Sequence, residues 1–566
     1  MSSKRLIIGF GIDSADPVLM EEWMQKGYLK NIQKLMKEGS YGYVKNTVNY
    51  AGQPTETCST ERLWTMTWTG CRPDKTGFWD TSKFYPQSYN ISRDEEEVAA
   101  DFNEYPPFYA VGKEHKVAIF DLPATGLSEQ VDGLQVLAWG GHYPFTPSHS
   151  KPASLLDEIN QKYGKNEVLN NDDGHWSDAE YVKWLYPALQ RSVRTRTQIC
   201  RDLLGRDDWD LFLAAFPETH SAGHDLLHLS RPDHPVHDAW RRKFGEDVDP
   251  TLAIYEQVDQ SIGQILEDVP DDAFVFCFSV HGMGNNVTDL LSMGVLPELM
   301  YRFNFPGKVA LAPGKVGTVP PAVITQPVRR SWEGENWVKN HESNPVWQRI
   351  KRFLPKRFLA DKVNGLSSPW ALRRDSVAAA WMPGMWYSPL WPEMKAFALP
   401  AFADGHIRIN LKGRERDGIV LPEEYDALCE EIIEVLYDLK DSRTGQPLVD
   451  KVVKTRGYPT EDNDRERMPG ADLVILWNKN GAPVDVADSS RFGRIGPLLH
   501  HRPGGHRPKG FLITKGPGIV PGSIAPDVEA VDIAPTMLSL LDVSIPDHLD
   551  GHPIDHVVLA KAGTEV

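Results

Sequence analysis

Two spacings of apolar residues alternate along most of the chain. Short continuous apolar runs fall at residues 6–12, 116–120, 134–139, 211–216 and 273–278. Each is the length of a strand, and burial of every residue marks a strand covered on both faces. Between them lie longer stretches with apolar positions three and four apart, at residues 17–26, 31–38, 153–163, 178–204 and 252–266. These read as amphipathic helices. Gly39 would stop the second, and Pro187 predicts a bend in the fourth. Strands alternating with helices predict an α/β fold, with a mostly parallel central sheet and helices on both faces.

The rhythm fails between residues 290 and 394. This stretch is rich in proline, glycine and tryptophan, and holds seven of the 17 tryptophans: Trp332, Trp337, Trp347, Trp370, Trp381, Trp386 and Trp391. It also carries a basic cluster, Arg349, Lys351, Arg352, Lys356 and Arg357. A long, weakly periodic segment inside an α/β domain predicts an inserted cap, with packing or subunit contact as its alternative use. The expected division is a first core part at 1–289, the insert at 290–394 and a second core part at 395–566. Strand patterns return at 395–399, 407–410, 473–477 and 511–514, and helical ones at 422–439 and 533–541.

Composition narrows the function. The net charge of -17 and the pI of about 5.5 oppose a nucleic-acid coat or an anionic-membrane binder. No apolar stretch reaches the length of a membrane span, and the first apolar run is too short for a signal-peptide core. The five cysteines, Cys58, Cys71, Cys200, Cys277 and Cys429, are odd in number and widely spaced. They read as reduced thiols, and cytoplasmic residence is expected.

The candidate chemistry lies at the ends of the strand-like runs, where ligands bind in open α/β sheets. His220 and His224 follow the run at 211–216 and would share one helix face, His281 follows 273–278, and His506 precedes 511–514. Neutral imidazole is a preferred zinc ligand. Among 18 histidines no one of these is specific alone, so weight falls on the ordered set. Thr60 precedes Glu61 at a helix start, where its hydroxyl could serve simply as a cap.

Taken in order, these segments resemble the type I phosphodiesterase/nucleotide pyrophosphatase branch of the alkaline phosphatase superfamily. The resemblance rests on residues 7–17, on Thr60 through Gly70, on Pro73-Asp74-Lys75-Thr76-Gly77, on the histidine segments, on 409–420, and on Asp532-Ile533-Ala534-Pro535-Thr536. It implies that Thr60 is the nucleophile and that Asp13, His224, His281 and His506 are metal ligands. Two positions depart from the pattern: His220 and Val280 stand where the family has aspartates. The implied ligand sets are then His220, His224 and His506 for one ion, and Asp13, His281 and the Thr60 oxygen for another. Glu218, Asn285 and Asn286 are candidate substitute ligands. With both ions present the site would be more positive by about two charges.

The resemblance implies a metal-dependent hydrolase of small phosphate esters, whether phosphodiester, nucleotide pyrophosphate or phosphomonoester. One or two divalent ions are expected, zinc first and manganese second. A homodimer is expected from the fold alone. Sulfate- or phosphonate-ester hydrolysis and phosphoryl transfer are alternatives on the same fold. Cys58-Ser59-Thr60-Glu61-Arg62 superficially resembles a sulfatase signature, but Thr60 stands in the proline position, so Cys58 reads as a buried thiol. The alternative of another class is a degenerate, non-catalytic protein that binds an anion or nucleotide.

Overall fold

The continuous apolar runs form the inner strands of one nine-stranded sheet. The structure is a computed structural model that describes residues 5–94, 100–141, 146–171, 174–245, 248–311, 314–318, 320, 331–342, 344–351, 353–355, 358–456, 467–479 and 481–563. In chain order the sheet comprises β1 (Ile7–Ile12), β2 (Ser40–Lys45), β3 (Gly112–Phe120), β4 (Val131–Leu137), β5 (His149–Lys151), β6 (Leu211–Phe216), β7 (Phe274–Ser279), β8 (Lys509–Lys515) and β9 (Ser523–Ile524). Their order in space is β9-β2-β8-β7-β1-β6-β3-β4-β5. The neighbours from β7 to β4 are all parallel. β8 enters antiparallel between β7 and β2. Every residue of β1, β6 and β7 is buried, which is why these strands show no alternation.

Six helices matter for the site: α1 (Pro17–Gln25), α2 (Lys30–Glu38), α3 (Thr60–Thr69), α4 (Ala179–Leu204), α5 (Glu218–Leu226) and α6 (Pro250–Leu266). Strand alternation sorts them onto two faces. Ile8, Phe10 and Ile12 pack with Leu19, Ile32, Val193 and Ile262 of α1, α2, α4 and α6. Ile7 belongs to the opposite cluster, with Leu63 and Trp64 of α3. α4 is capped by Asp178, whose carboxylate accepts from the Glu180 N–H, and it runs unbroken through Pro187.

The strand β2 is not anticipated by the apolar pattern. Its buried positions are Ser40, Gly42 and Val44, whereas Tyr41 and Tyr43 are half-buried. Small inward residues disguise the alternation. Both tyrosine hydroxyls donate to Glu21 Oε1, each at 2.8 Å.

A second sheet of four antiparallel strands comprises Ala396–Leu399, Gly405–Ile409, Leu473–Trp477 and Val449–Lys454. Residues 290–394 contribute Trp337, Trp386 and Trp391 to the cluster that also holds Ile407, Ile475 and Trp477 of this sheet. Of the basic cluster, Arg352, Lys356 and Arg357 lie outside the described residues.

Asp472 anchors this second sheet. Its two carboxylate oxygens accept from Arg414 Nη1 and Nη2, both at 2.7 Å, and Oδ1 also accepts from the Tyr425 hydroxyl at 3.0 Å. Burial pushes the carboxyl pKa up, but Arg414 and Arg456 outweigh it and hold the group well below its ordinary value of 3.8. A depressed folded-state pKa contributes stability that is fully present above 3.8 and lost as pH falls below it. Urea unfolding between pH 5 and pH 2 is therefore expected to show a steep acid loss, shallower in Asp472→Asn. An unchanged slope in that variant would assign the acid sensitivity elsewhere.

Candidate active site

The chain turns from β6 into α5 through Pro217, so His220 and His224 sit one helical turn apart at the carboxyl end of a central strand. Their ring centroids are 4.4 Å apart. The third imidazole comes from a two-stranded ribbon, Gly282–Asn285 paired antiparallel with Gly504–Arg507, in which His506 lies opposite Met283. The ribbon approaches α5 closely: a Cβ on Gly504 would lie 1.9 Å from the Gly223 carbonyl oxygen. Only glycine permits this contact.

The three imidazoles converge. Nε2 of His220 lies 3.1 Å from Nε2 of His506 and 3.1 Å from Nε2 of His224, and the third edge is 3.0 Å. A tetrahedral zinc with nitrogen ligands sets those nitrogens about 3.3 Å apart. His224 Nδ1 lies 2.9 Å from the Gly504 carbonyl oxygen, which can only accept. Nδ1 therefore carries the proton, and Nε2 presents its lone pair to the centre. Burial, then Arg502, His220 and His506, push the His224 pKa well down, so it stays neutral as a ligand must. Among the described residues, no other group of three or more His, Cys, Asp or Glu side chains converges this closely.

Thr60 opens α3 and is buried beside this triangle. Its Oγ1 lies 2.9 Å from His281 Nε2 and 3.2 Å from each ring nitrogen of His506. Asp13 directly follows β1, and its Oδ1 lies 3.4 Å from His281 Nε2 and accepts the Trp64 indole N–H at 2.9 Å. The structure thus brings together Thr60, Asp13, His220, His224, His281 and His506, from segments as far apart as Asp13 and His506.

It does not bring in the candidate substitute ligands. Glu218 Oε1 accepts from Arg196 Nε at 2.9 Å and Ser192 Oγ at 2.5 Å. Asn285 donates to Asp233, and Asn286 to Asp289. Val280 is buried in the apolar cluster beneath the sheet. Cys58 has no exposed surface and accepts from Lys479 Nζ at 3.1 Å. Burial raises its thiol pKa and Lys479 offsets this only partly.

Above Thr60 and the three histidines opens a cavity of about 390 Å³. Three guanidinium groups, Arg62, Arg93 and Arg502, line it together with four carboxylates, Glu61, Asp80, Asp225 and Asp404. With neutral imidazoles this lining is slightly anionic. An aromatic wall completes it: Trp381 stacks on His501 at 5.5 Å between centroids, and Arg502 lies 5.3 Å from the Phe402 ring. Of the seven tryptophans of residues 290–394, Trp381 alone lines the cavity. Asp404, Phe402 and Trp381 carry no local motif, and only folding reveals them.

Residues 7–382 match the family model described as Type I phosphodiesterase / nucleotide pyrophosphatase. No curated protein matches the chain in sequence. Solved structures that resemble it include murine ectonucleotide pyrophosphatase / phosphodiesterase 5, at 11% identity and a TM-score of 0.43, covering 96% of this chain and 97% of that one. Another is phosphonoacetate hydrolase from Sinorhizobium meliloti 1021 in complex with phosphonoformate, at 11% identity and a TM-score of 0.43, covering 99% of this chain and 95% of that one.

Proposed function

The chain belongs to the type I phosphodiesterase/nucleotide pyrophosphatase family, and from that premise we propose that it hydrolyses small phosphate esters with Thr60 as nucleophile and a divalent ion on His220, His224 and His506. The observation that carries this reading is the convergence of three Nε2 atoms within 3.0–3.1 Å of one another, with the Thr60 hydroxyl against His506. An all-imidazole donor set suits zinc better than manganese, which favours oxygen ligands. The lining charges support an ion as well: without one, a phosphate ester would meet more carboxylates than guanidinium groups.

When bound, the ion supplies a Lewis acid for a phosphoryl oxygen. The chain's own groups do the rest. Thr60 Oγ1 attacks phosphorus as the ester P–O bond breaks, and that bond's electron pair leaves with the ester oxygen. The Thr60 proton passes to His281 Nε2, 2.9 Å away, while Nδ1 faces the Gly282 carbonyl oxygen at 3.3 Å. The N-terminus of α3 directs backbone N–H groups toward the attacked phosphate. Water then cleaves the phospho-threonine. Trp381, Phe402 and Arg502 offer a flat surface to an aryl group or a base.

The test is hydrolysis of p-nitrophenyl phosphate and bis(p-nitrophenyl) phosphate. Turnover is expected with zinc, to disappear on chelation with EDTA and to return when zinc is restored. Absence of turnover on every small phosphate or phosphonate ester offered would overturn the reading, in favour of a binding protein.

A further inference from the structure

We propose that this chain carries a single divalent ion, on His220, His224 and His506, and that a packed cluster of Asp13, His281, Thr60 and Trp64 occupies the place of a second. The proposal rests on the three-histidine reading given above. It follows from where the donor atoms of the other set point.

Position 280 offers no donor. The Val280 side chain has no exposed surface and lies in the apolar cluster with Phe278 and Leu512. Its backbone is fixed too: the carbonyl accepts from Asn46 Nδ2 at 2.7 Å, and Asn46 Oδ1 in turn accepts from the Ala530 N–H at 2.8 Å. A shift that carried a neighbouring donor inward would break both bonds.

Asp13 already serves the protein. Its Oδ1 takes the Trp64 indole N–H at 2.9 Å, and an indole nitrogen can only donate. A cation approaching that oxygen would meet a positively polarised hydrogen. The arrangement is built in, because the Trp64 ring fills the space a side chain at position 11 would need. A Cβ on Gly11 would lie 2.7 Å from that ring. His281 Nε2 is held between Thr60 Oγ1 and Asp13 Oδ1, at 2.9 and 3.4 Å.

The remaining set of one carboxylate, one imidazole and one hydroxyl falls short of the three or four strong ligands a zinc site normally has. Arg196 holds Oε1 of Glu218, the amide nitrogens of Asn285 and Asn286 donate to Asp233 and Asp289, and none of the three lines the cavity above Thr60. Two dications about 4 Å apart also repel strongly and need carboxylates to neutralise them. Here His220 and Val280 supply none. One ion is what the donor set can hold, and His281 faces the nucleophile in place of the other.

The full chain is stripped of metal, reconstituted with excess zinc chloride and desalted. Zinc per chain is then counted by elemental mass spectrometry and by native mass spectrometry. One ion per chain is expected for the unaltered protein and for Asp13→Asn, and none for His506→Ala. Val280→Asp, which restores a carboxylate beside His281, is expected to bring the count to two. Two ions on the unaltered chain would overturn the proposal, as would a fall in the count for Asp13→Asn or a folded Val280→Asp variant that stays at one. If circular dichroism shows that Val280→Asp does not fold, the unaltered chain and Asp13→Asn decide the matter. No ion on the unaltered chain would overturn the three-histidine reading itself.

Discussion

Thr60→Ala is expected to reduce kcat on an aryl phosphate by about 10³-fold or more while leaving the zinc content unchanged. Losses of this size follow removal of a nucleophile whose neighbours act with it as a unit. The substitution removes one oxygen that lies 2.9 Å from His281 and 3.2 Å from His506. It leaves the triangle of His220, His224 and His506 untouched, because those nitrogens are set by α5 and the glycine-rich ribbon. Steady-state kinetics beside elemental analysis separates the two effects. A variant that kept the full rate would make water the attacking group and leave the Thr60 hydroxyl only a packing contact of His281 and His506. Acid quenching of the unaltered enzyme during turnover should trap phosphate on Thr60 and on no other residue.

Arg196→Met is expected to destabilise the fold by about 3–5 kcal/mol, the cost of leaving buried carboxylates without their cation. Arg196 has no exposed surface and holds Asp121 at 2.7 Å and Glu218 at 2.9 Å. Its guanidinium also lies against the rings of Phe120 and Trp139, at 5.3 and 5.4 Å from their centroids. Asp121 accepts in turn from the Trp139 and Gly140 N–H groups, at 2.9 and 3.1 Å. The arginine thus ties the end of β3 to the first residue of α5, the helix that presents His220 and His224. Urea denaturation measures the loss, and zinc affinity is expected to fall with it. A change under about 1 kcal/mol would show that water solvates both carboxylates in the variant.

The inner strands were legible because burial on both faces leaves an unbroken apolar run, as in Leu211–Phe216. The two-face arrangement followed from the alternation of such runs with helices. β2 was not legible, since Ser40 and Gly42 fill its inward positions. The site histidines could be found because each sits where a strand-like run ends or begins. The rest of the cavity could not. Trp381, Phe402 and Asp404 lie in irregular chain, and Arg502 is placed by its bond to Asp289 at 2.8 Å, a partner more than 200 residues away. No local spacing encodes such a pair. The candidate substitute ligands show the same limit of local sequence. Glu218 opens α5 two residues before His220, but its Oε1 lies on Arg196, and only the fold decides which way a side chain turns.

The position of β8 bears on how the protein is made. The strand lies between β2 and β7, yet it is translated more than 200 residues after them. His506, the last of the three converging imidazoles, is 282 residues downstream of His224. At about 5–20 residues per second, ribosomes need roughly 15–55 s to cover that interval. Once β7 has been made, and until β8 follows, its edge toward β8 is left unpaired, although its residues Phe274 to Ser279 are all buried in the finished protein. At the proposed three-histidine site, metal capture is therefore expected among the last events of biosynthesis, and zinc retention would report that the C-terminal strands have been inserted.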